Sequence, residues 1–482
     1  MIADLLREYG FIPADSEGVA SLRVTWEPSF ESLLVEWLSD GFTLSRREKV
    51  TVAPFEEGEE SRRRRKLRLA IHNMFAGKPE ALSRYGQTLS PWGTLTGVRP
   101  GKIARRFIDQ GFSDNEIAAL FQDEFGLEES RAWLLLRVCH NQAPFLPGSP
   151  GGGKRICLYL SYPFCPSRCE YCSFPGYEAA RWRKWLEPCH KAMINEIRSV
   201  GQAATSMGFE IGTAYFGGGT PTCMPPESMD HILSAIRQSF NVAPGAEWTV
   251  EGGRPETLTG DMLDVLTSHP INRVCVNPQS MKQISLDRIG RSHSASDIEA
   301  AFIRIQDALY KAKRDDWRVN CDLILGLPGE SLDDAKESLR QTIALKPDNI
   351  TIHGLAIKRG SAYKENQETL PDKLLGQSMI SESRIMMSQA GYLPYYLYRQ
   401  KDSLAGGENV GYALPGAFCV YNILMIEERQ SILGLGVGAG SKFLRPGNWL
   451  LDNVYNPKDL IQYIERVDEL IKRKVDKLAE LV

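Results

Sequence analysis

The hydrophobic positions of this chain fall into two regimes that meet near residue 150. Upstream, VTWEPSFESLLVEWLS (24–39) mixes a period of two with a period of 3.6. RRRRKLRLAIHNMF (62–75) opens basic and continues as an amphipathic helix. PWGTLTGVRPGKI (91–103) carries Trp-Gly and Arg-Pro-Gly turns, and Gly101 and Gly111 bracket a short helix. Two more short helices follow up to Gln142. The Pro/Gly/Ser stretch PFLPGSPGGGK (144–154) reads as a linker.

Downstream, short apolar runs alternate with longer amphipathic ones. Strands are predicted over 156–161, 213–216, 247–251, 273–276, 318–325 and 349–353. Helices are predicted over 179–204, 226–240, 259–268, 296–312 and 332–344. This repeat implies a parallel sheet with helices outside, and six such units curl into a partial (β/α)6 barrel. From about residue 391 the pattern changes again. YLPYYLYRQK is aromatic and alternating. YNILMIEERQSILGLGVGAGSKF reads as a hairpin and a glycine-rich turn. A single closing helix is expected from Pro457, with Asn456 as its N-cap. The fold class is therefore α/β: an N-terminal α+β domain (1–150), a partial barrel (151–390) and a small C-terminal domain (391–482) capping the barrel mouth.

Composition narrows the function. At 482 residues the chain is too long for one core, and 43% hydrophobic with 24% charged residues is a globular profile. A net charge of −3 gives no general affinity for nucleic acid or anionic membrane, and no apolar run reaches the length of a membrane span. The opening residues have early acids and no apolar signal core, so a cytoplasmic protein is expected. The basic run 62–65 is read as a solvated helix face. His72 and His140 lie in helical patterns and are read as packed.

Of ten cysteines, Cys139, Cys157, Cys189, Cys223, Cys275, Cys321 and Cys419 are scattered and read as small buried apolar groups. The other three form PFCPSRCEYCSF. Cys165, Cys169 and Cys172 stand in a C-x3-C-x2-C spacing on the loop after the first barrel strand. Three thiolates so placed hold three irons of a [4Fe–4S] cube and leave the fourth open. A closed structural zinc site would need a fourth ligand. Tyr171 is placed to stack on a flat ligand or to pack.

The other strand ends carry matching chemistry, where β/α barrels place their sites. YFGGGTPT ends the second strand, and Gly217, Gly218, Gly219 and Thr220 are read as a turn offering free backbone groups to an amino acid. Glu251 ends the third strand, and Arg254 is read as a partner for a substrate carboxylate. Asn277 and Gln279 fall at the fourth strand's end, followed by Arg291 and His293 in IGRSHS. Asp322 is an acid inside an apolar run, expensive unless paired or ligand-bound. His353 lies near the mouth on the sixth strand.

The order C-x3-C-x2-C, GGGTPT, strand-end Glu, IGRSH and DLILGLPGE resembles the radical SAM superfamily in its coproporphyrinogen dehydrogenase-like branch. PWGTLTGVRPGKI, VNPQSM, HGLAIKRGS, PYYLYRQK, ENVGYALPG and LGLGVGAGSK resemble its HemZ-type members. The resemblance implies that Cys165, Cys169 and Cys172 hold the cluster and that S-adenosylmethionine chelates the open iron. Tyr171, Gly217 to Gly219, Thr220, Glu251, Gln279, Arg291 and Asp322 would then seat the cofactor, with Glu251, Arg254 and Arg291 nearest the chemistry. It also implies reductive cleavage to a 5′-deoxyadenosyl radical and, in the dehydrogenases, conversion of tetrapyrrole propionates to vinyl groups. The implied partners are a tetrapyrrole and an electron donor such as flavodoxin or ferredoxin.

Two positions depart from the studied dehydrogenases. Phe174 stands where they carry a further cysteine, and Ser161 where they carry a histidine. The related haem chaperones have a motif beginning His-Asn, where this chain has Tyr421-Asn422. Haem binding of that kind, or a radical methyl transfer, are the alternatives to the dehydrogenase reaction.

Overall fold

The structure is a computed structural model that describes residues 20–27, 32–39, 42–49, 58–83, 89–148, 153–401, 403–404 and 407–482. Residues 149–152 of the expected linker lie outside the described residues.

The first part is a three-stranded antiparallel sheet, β1 (Ala20–Glu27), β2 (Ser32–Ser39) and β3 (Phe42–Lys49), with the helix Glu59–Ala76 across it. Its core joins Val35, Trp37, Leu44, Ile71 and Phe75. The basic run is internally met. Arg63 pairs with Glu59 at 2.6 Å, Arg64 with Glu60, and Arg65 and Lys66 with Glu124.

Residues 101–142 form three helices, Gly101–Asp109, Asp114–Phe125 and Glu129–Gln142. Ser113 and Glu116 close a capping box at the start of the second. A second, larger core runs from Trp92 to Leu478. Helices of the first 150 residues therefore pack into the same core as the barrel.

The barrel is built from β4 (Arg155–Tyr162), the short pair β5 (Phe164–Cys165) and β6 (Tyr177–Glu178), β7 (Glu210–Gly218), β8 (Asn241–Glu251), β9 (Arg273–Cys275), β10 (Arg318–Leu325) and β11 (Asn349–Gly354). β4, β7, β8, β9, β10 and β11 are adjacent in that order and parallel throughout. These are the six strands read from the hydrophobic runs. Their period of two sorts the side chains. Ile156, Leu158 and Leu160 face the helices, while Cys157 and Tyr159 join an inner cluster with Tyr215. The same alternation carries Glu251, Asp322 and His353 inward.

The last part does not form a separate layer over the mouth. β12 (Leu393–Arg399) and β13 (Glu408–Ala413) extend the sheet beyond β11, and β14 (Ile432–Gly436), β15 (Gly440–Leu444) and β16 (Leu451–Tyr455) extend it beyond β4. The result is one open sheet of eleven strands. The expected hairpin begins instead as a helix, Val420–Glu427. Glu247 at the lower part of β8 accepts the backbone N–H groups of Val420 at 3.1 Å and Tyr421 at 3.0 Å, which satisfies that helix's first donors. The helix closes the lumen from below. The expected single closing helix is two, Leu460–Glu465 and Val467–Ala479, and its cap is Asp459. Asn456 is instead buried, donating from Nδ2 to Glu196 at 3.0 Å. Glu196 also accepts from Lys474 Nζ at 2.8 Å and Tyr463 Oη at 2.8 Å, which pins the closing helix to the barrel.

Among the described residues no helix is long and apolar enough to cross a membrane.

Candidate functional site

The cluster loop leaves β4 at the mouth of the lumen. Cys165 ends β5, whose pairing with β6 is continued by an N–H from Ala179 to the Cys165 carbonyl at 3.0 Å. The Cys172 N–H bonds the Cys169 carbonyl at 3.1 Å, which turns the chain between the last two cysteines. The far side is anchored: Ser167 Oγ donates to the Gly290 carbonyl at 3.1 Å and Arg168 Nη2 to that of Gly360 at 2.6 Å. All three thiols are free, and Cys165 and Cys172 are half-buried. Burial pushes the Cys172 thiol up to about 11, with Cys169 and Cys165 adding to the shift. Burial likewise raises the Cys165 thiol, so at these two cysteines the neutral thiol is favoured in the absence of a cation. Among the described residues no three His, Cys, Asp or Glu side chains converge closely enough for a single metal ion. A four-iron cube holds its cysteine ligands apart by its own width, so a wider spacing suits it.

The glycine turn serves a different purpose from the one expected. Its backbone donors are not free: Gly219 N–H bonds the Tyr162 carbonyl at 2.6 Å and Thr220 N–H that of Phe164 at 2.8 Å. A Cβ on Gly219 would lie 2.5 Å from the Phe164 carbonyl oxygen, and Gly218 has φ +99°. The glycines let the end of β7 press against the start of the cluster loop. Thr220 Oγ1 then reaches Cys165 Sγ at 3.5 Å. Gly217 leaves room for the Glu251 carboxyl, which a Cβ there would meet at 2.9 Å.

Below the loop the lumen is polar. Tyr215 donates to Glu251 Oε1 at 2.5 Å. Burial pushes the Glu251 carboxyl up to about 7; the Tyr215 bond opposes this and the Asp322 charge adds to it. Asp322 lies 3.8 Å from His353 Nε2, and His353 Nδ1 lies 3.2 Å from Tyr398 Oη. Gln279 adopts φ +66°, and its side-chain oxygen, like that of Asn277, is buried with no hydrogen-bond partner. Two orphaned acceptors and two carboxylates at one mouth fit a ligand rich in N–H and O–H donors. Beneath them Tyr421 stacks on Tyr215, with ring centroids 4.6 Å apart, and faces Tyr159 at 6.2 Å.

The arginines and remaining candidates sit differently from the sequence reading. Arg254 is turned into the cluster loop and away from the lumen, with Nη2 2.9 Å from the Ser167 carbonyl oxygen and 3.1 Å from Cys169 Sγ. Its Nη2 is engaged there, while Nη1 is buried with no hydrogen-bond partner among the described residues. Arg291 Nη1 donates to the carbonyls of Gly253 at 3.0 Å and Asn277 at 2.6 Å. Its Nη2 reaches Tyr171 Oη at 3.4 Å, and its Nε is buried without a partner. The Tyr171 ring packs with Leu286, Ile289 and Leu355, the packing alternative of its two readings. His293 is buried against Glu256 at 3.2 Å. Ser161 Oγ donates to the Val437 carbonyl at 2.7 Å, and Phe174 is 58% exposed beside the cluster loop. Tyr215 and Tyr398 were not singled out from sequence. Their signal was positional, since each stands at the inward phase of a strand near its carboxyl end.

A model of the radical SAM superfamily matches residues 159–342. The oxygen-independent coproporphyrinogen-III oxidase-like protein HemZ of Bacillus subtilis is 35% identical over 81% of this chain and 77% of its own length. The chain belongs to the coproporphyrinogen oxidase-like branch of the radical SAM superfamily. The heme chaperone HemW of Escherichia coli is 27% identical over 61% of this chain and 72% of its own. The fold of this radical SAM protein is shared with the coproporphyrinogen III oxidase HemN of Escherichia coli, at TM-score 0.50 and 20% identity over 70% of this chain and 72% of the other. The superfamily uses a [4Fe–4S] cluster and S-adenosylmethionine. The donor set of this radical SAM site fits both: three free thiols on one loop with Arg254 and Thr220 donating toward sulfur, and orphaned acceptors beside carboxylates.

Proposed function

We propose that this radical SAM enzyme acts on a tetrapyrrole, removing carbon dioxide oxidatively from propionate side chains of coproporphyrinogen III to leave vinyl groups. The observation that carries the reading is the cluster loop over a carboxylate-lined lumen in a chain aligned with HemZ over four-fifths of its length. Cys165, Cys169 and Cys172 would hold the cluster. Glu251 would take the ammonium of S-adenosylmethionine, Arg291 would fix the mouth backbone beside its carboxylate, and Gln279 and Asp322 would receive hydroxyl donors. When bound, the cluster supplies the electron that cleaves the sulfonium and generates the 5′-deoxyadenosyl radical. An electron donor of the flavodoxin or ferredoxin kind would refill it. The tyrosine layer and the helix Val420–Glu427 would shield the radical site from water from below.

A haem-carrier reading has less support. Tyr421, where the chaperone motif begins with histidine, is buried and stacked on Tyr215. The test is an anaerobic incubation of reconstituted protein with coproporphyrinogen III, S-adenosylmethionine and reductant. Carbon dioxide and protoporphyrinogen are expected. 5′-Deoxyadenosine without either product would remove the substrate, S-adenosylhomocysteine would point to methyl transfer, and stoichiometric haem binding without turnover to the carrier.

A further inference from the structure

Arg254 stands three residues beyond Glu251, with its whole side chain enclosed at 2% exposure. Its Nη2 spans the cluster loop, touching the Ser167 carbonyl at 2.9 Å, Ser167 Oγ at 3.2 Å and Cys169 Sγ at 3.1 Å. Its Nη1 is buried with no hydrogen-bond partner among the described residues. Glu256, the next acid along the chain, bonds His293 at 3.2 Å and is also stabilised by the Arg254 charge, so it offsets part of the cost of enclosing that charge. A guanidinium cannot shed its proton, so enclosing it without a counter-charge is costly. The group that lies against it is a cysteine sulfur, and a sulfur provides that counter-charge only as a thiolate.

We propose that Arg254 is a positioning and tuning residue for the iron–sulfur cluster: it donates a charge-assisted hydrogen bond to the Cys169 thiolate and makes the cluster easier to reduce. This rests on the reading that Cys165, Cys169 and Cys172 are the ligands. Reduction adds a negative charge to a group that three thiolates already make anionic. A fixed cation at a ligand sulfur stabilises the reduced form more than the oxidised one and raises the potential. The same guanidinium ties Ser167 to Cys169 and so sets the loop's curvature between the first two ligands. Arg291, also buried near this loop, directs Nη1 at two carbonyls of the lumen wall and holds the mouth. Arg291 also lies within reach of Cys169, so what sets Arg254 apart is its tie to Ser167 between the first two ligands.

The experiment compares anaerobically reconstituted full-length wild type with Arg254→Lys and Arg254→Gln, without S-adenosylmethionine. Iron and acid-labile sulfide are counted, and the midpoint potential is read by electron paramagnetic resonance during a dithionite titration. Arg254→Gln is expected to keep a cluster whose potential moves to more negative values, with Arg254→Lys between it and wild type. If Arg254→Gln loses its iron while Arg254→Lys keeps it, the requirement for charge stands. An unchanged potential in an iron-replete Arg254→Gln, or loss of iron from both variants, would overturn the proposal. Cys169→Ala, run alongside, separates the two layers: if it retains a full cluster, the ligand reading fails independently of Arg254.

Discussion

Tyr215 Oη lies 2.5 Å from Glu251 Oε1, so one carboxylate oxygen is held from below by a phenol and the other is left for a ligand. Both side chains are half-buried, and Gly217 supplies the space between them. This pair sets the acid–base state of the lumen.

The pH dependence of cofactor binding follows from it. Glu251 titrates at about 7, so it is charged above that pH and neutral below it. An ammonium is attracted only by the charged form. Affinity for S-adenosylmethionine should therefore weaken about tenfold between pH 8 and pH 6, while Glu251→Gln should bind weakly and without this slope. Equilibrium dialysis across that range measures both.

Removing the phenol should move the midpoint. The Tyr215 bond lowers the Glu251 value against burial, so Tyr215→Phe takes away a bond that favours the anion. The binding midpoint should rise by roughly one pH unit, with affinity at pH 7 falling several-fold and the fold intact. An unshifted midpoint would show that another group carries the titration.

Gly217→Ala and Gly219→Ala should fail differently. The first puts a methyl 2.9 Å from the Glu251 carboxyl and from the Tyr215 ring, both movable side chains; the second puts it 2.5 Å from a backbone carbonyl. Gly217→Ala should keep its iron and lose cofactor affinity about tenfold. Gly219→Ala should lower stability by about 1–3 kcal/mol and reduce iron content, since the loop itself must move. Denaturant unfolding and iron analysis distinguish the two.

Lys474 and Glu196 form a buried ion pair at 2.8 Å, both fully enclosed. Lys474→Met leaves the Glu196 charge with neutral donors only and should cost about 3–5 kcal/mol in denaturant unfolding. Adding Glu196→Gln should recover part of the loss.

Phe174→Ala should change stability by less than about 0.5 kcal/mol and leave iron content unchanged, because the ring is 58% exposed. Its effect, if the ring meets the substrate, will appear in KM for coproporphyrinogen with 5′-deoxyadenosine formation unaltered.

Much of the barrel was legible because its signal is local. The strand predicted over 318–325 and the helix predicted over 332–344 match β10 and the helix Leu332–Ala344 to the residue. The cysteine spacing is likewise a local fact. Arg254 was misjudged because a guanidinium's direction depends on which loop folds over it, and no neighbour in sequence records that. The last ninety residues were misjudged for a related reason. YNILMIEE is apolar enough for a buried strand or a buried helix, and only Glu247, on another element, decides by capping it as a helix.

The pairing of β14 with β4 has a consequence for the order in which the protein is made. The strand that carries the cluster loop emerges before the other barrel strands, yet the strand beside it and the helix that floors the lumen follow only after all of them. Until they arrive, Cys157, Tyr159 and the underside of Glu251 stand open to water. A loop that took up iron before residue 436 had docked would do so over a site with no floor. A chain stopped short of β14 should expose its cysteines to oxidation even though every cluster ligand is present.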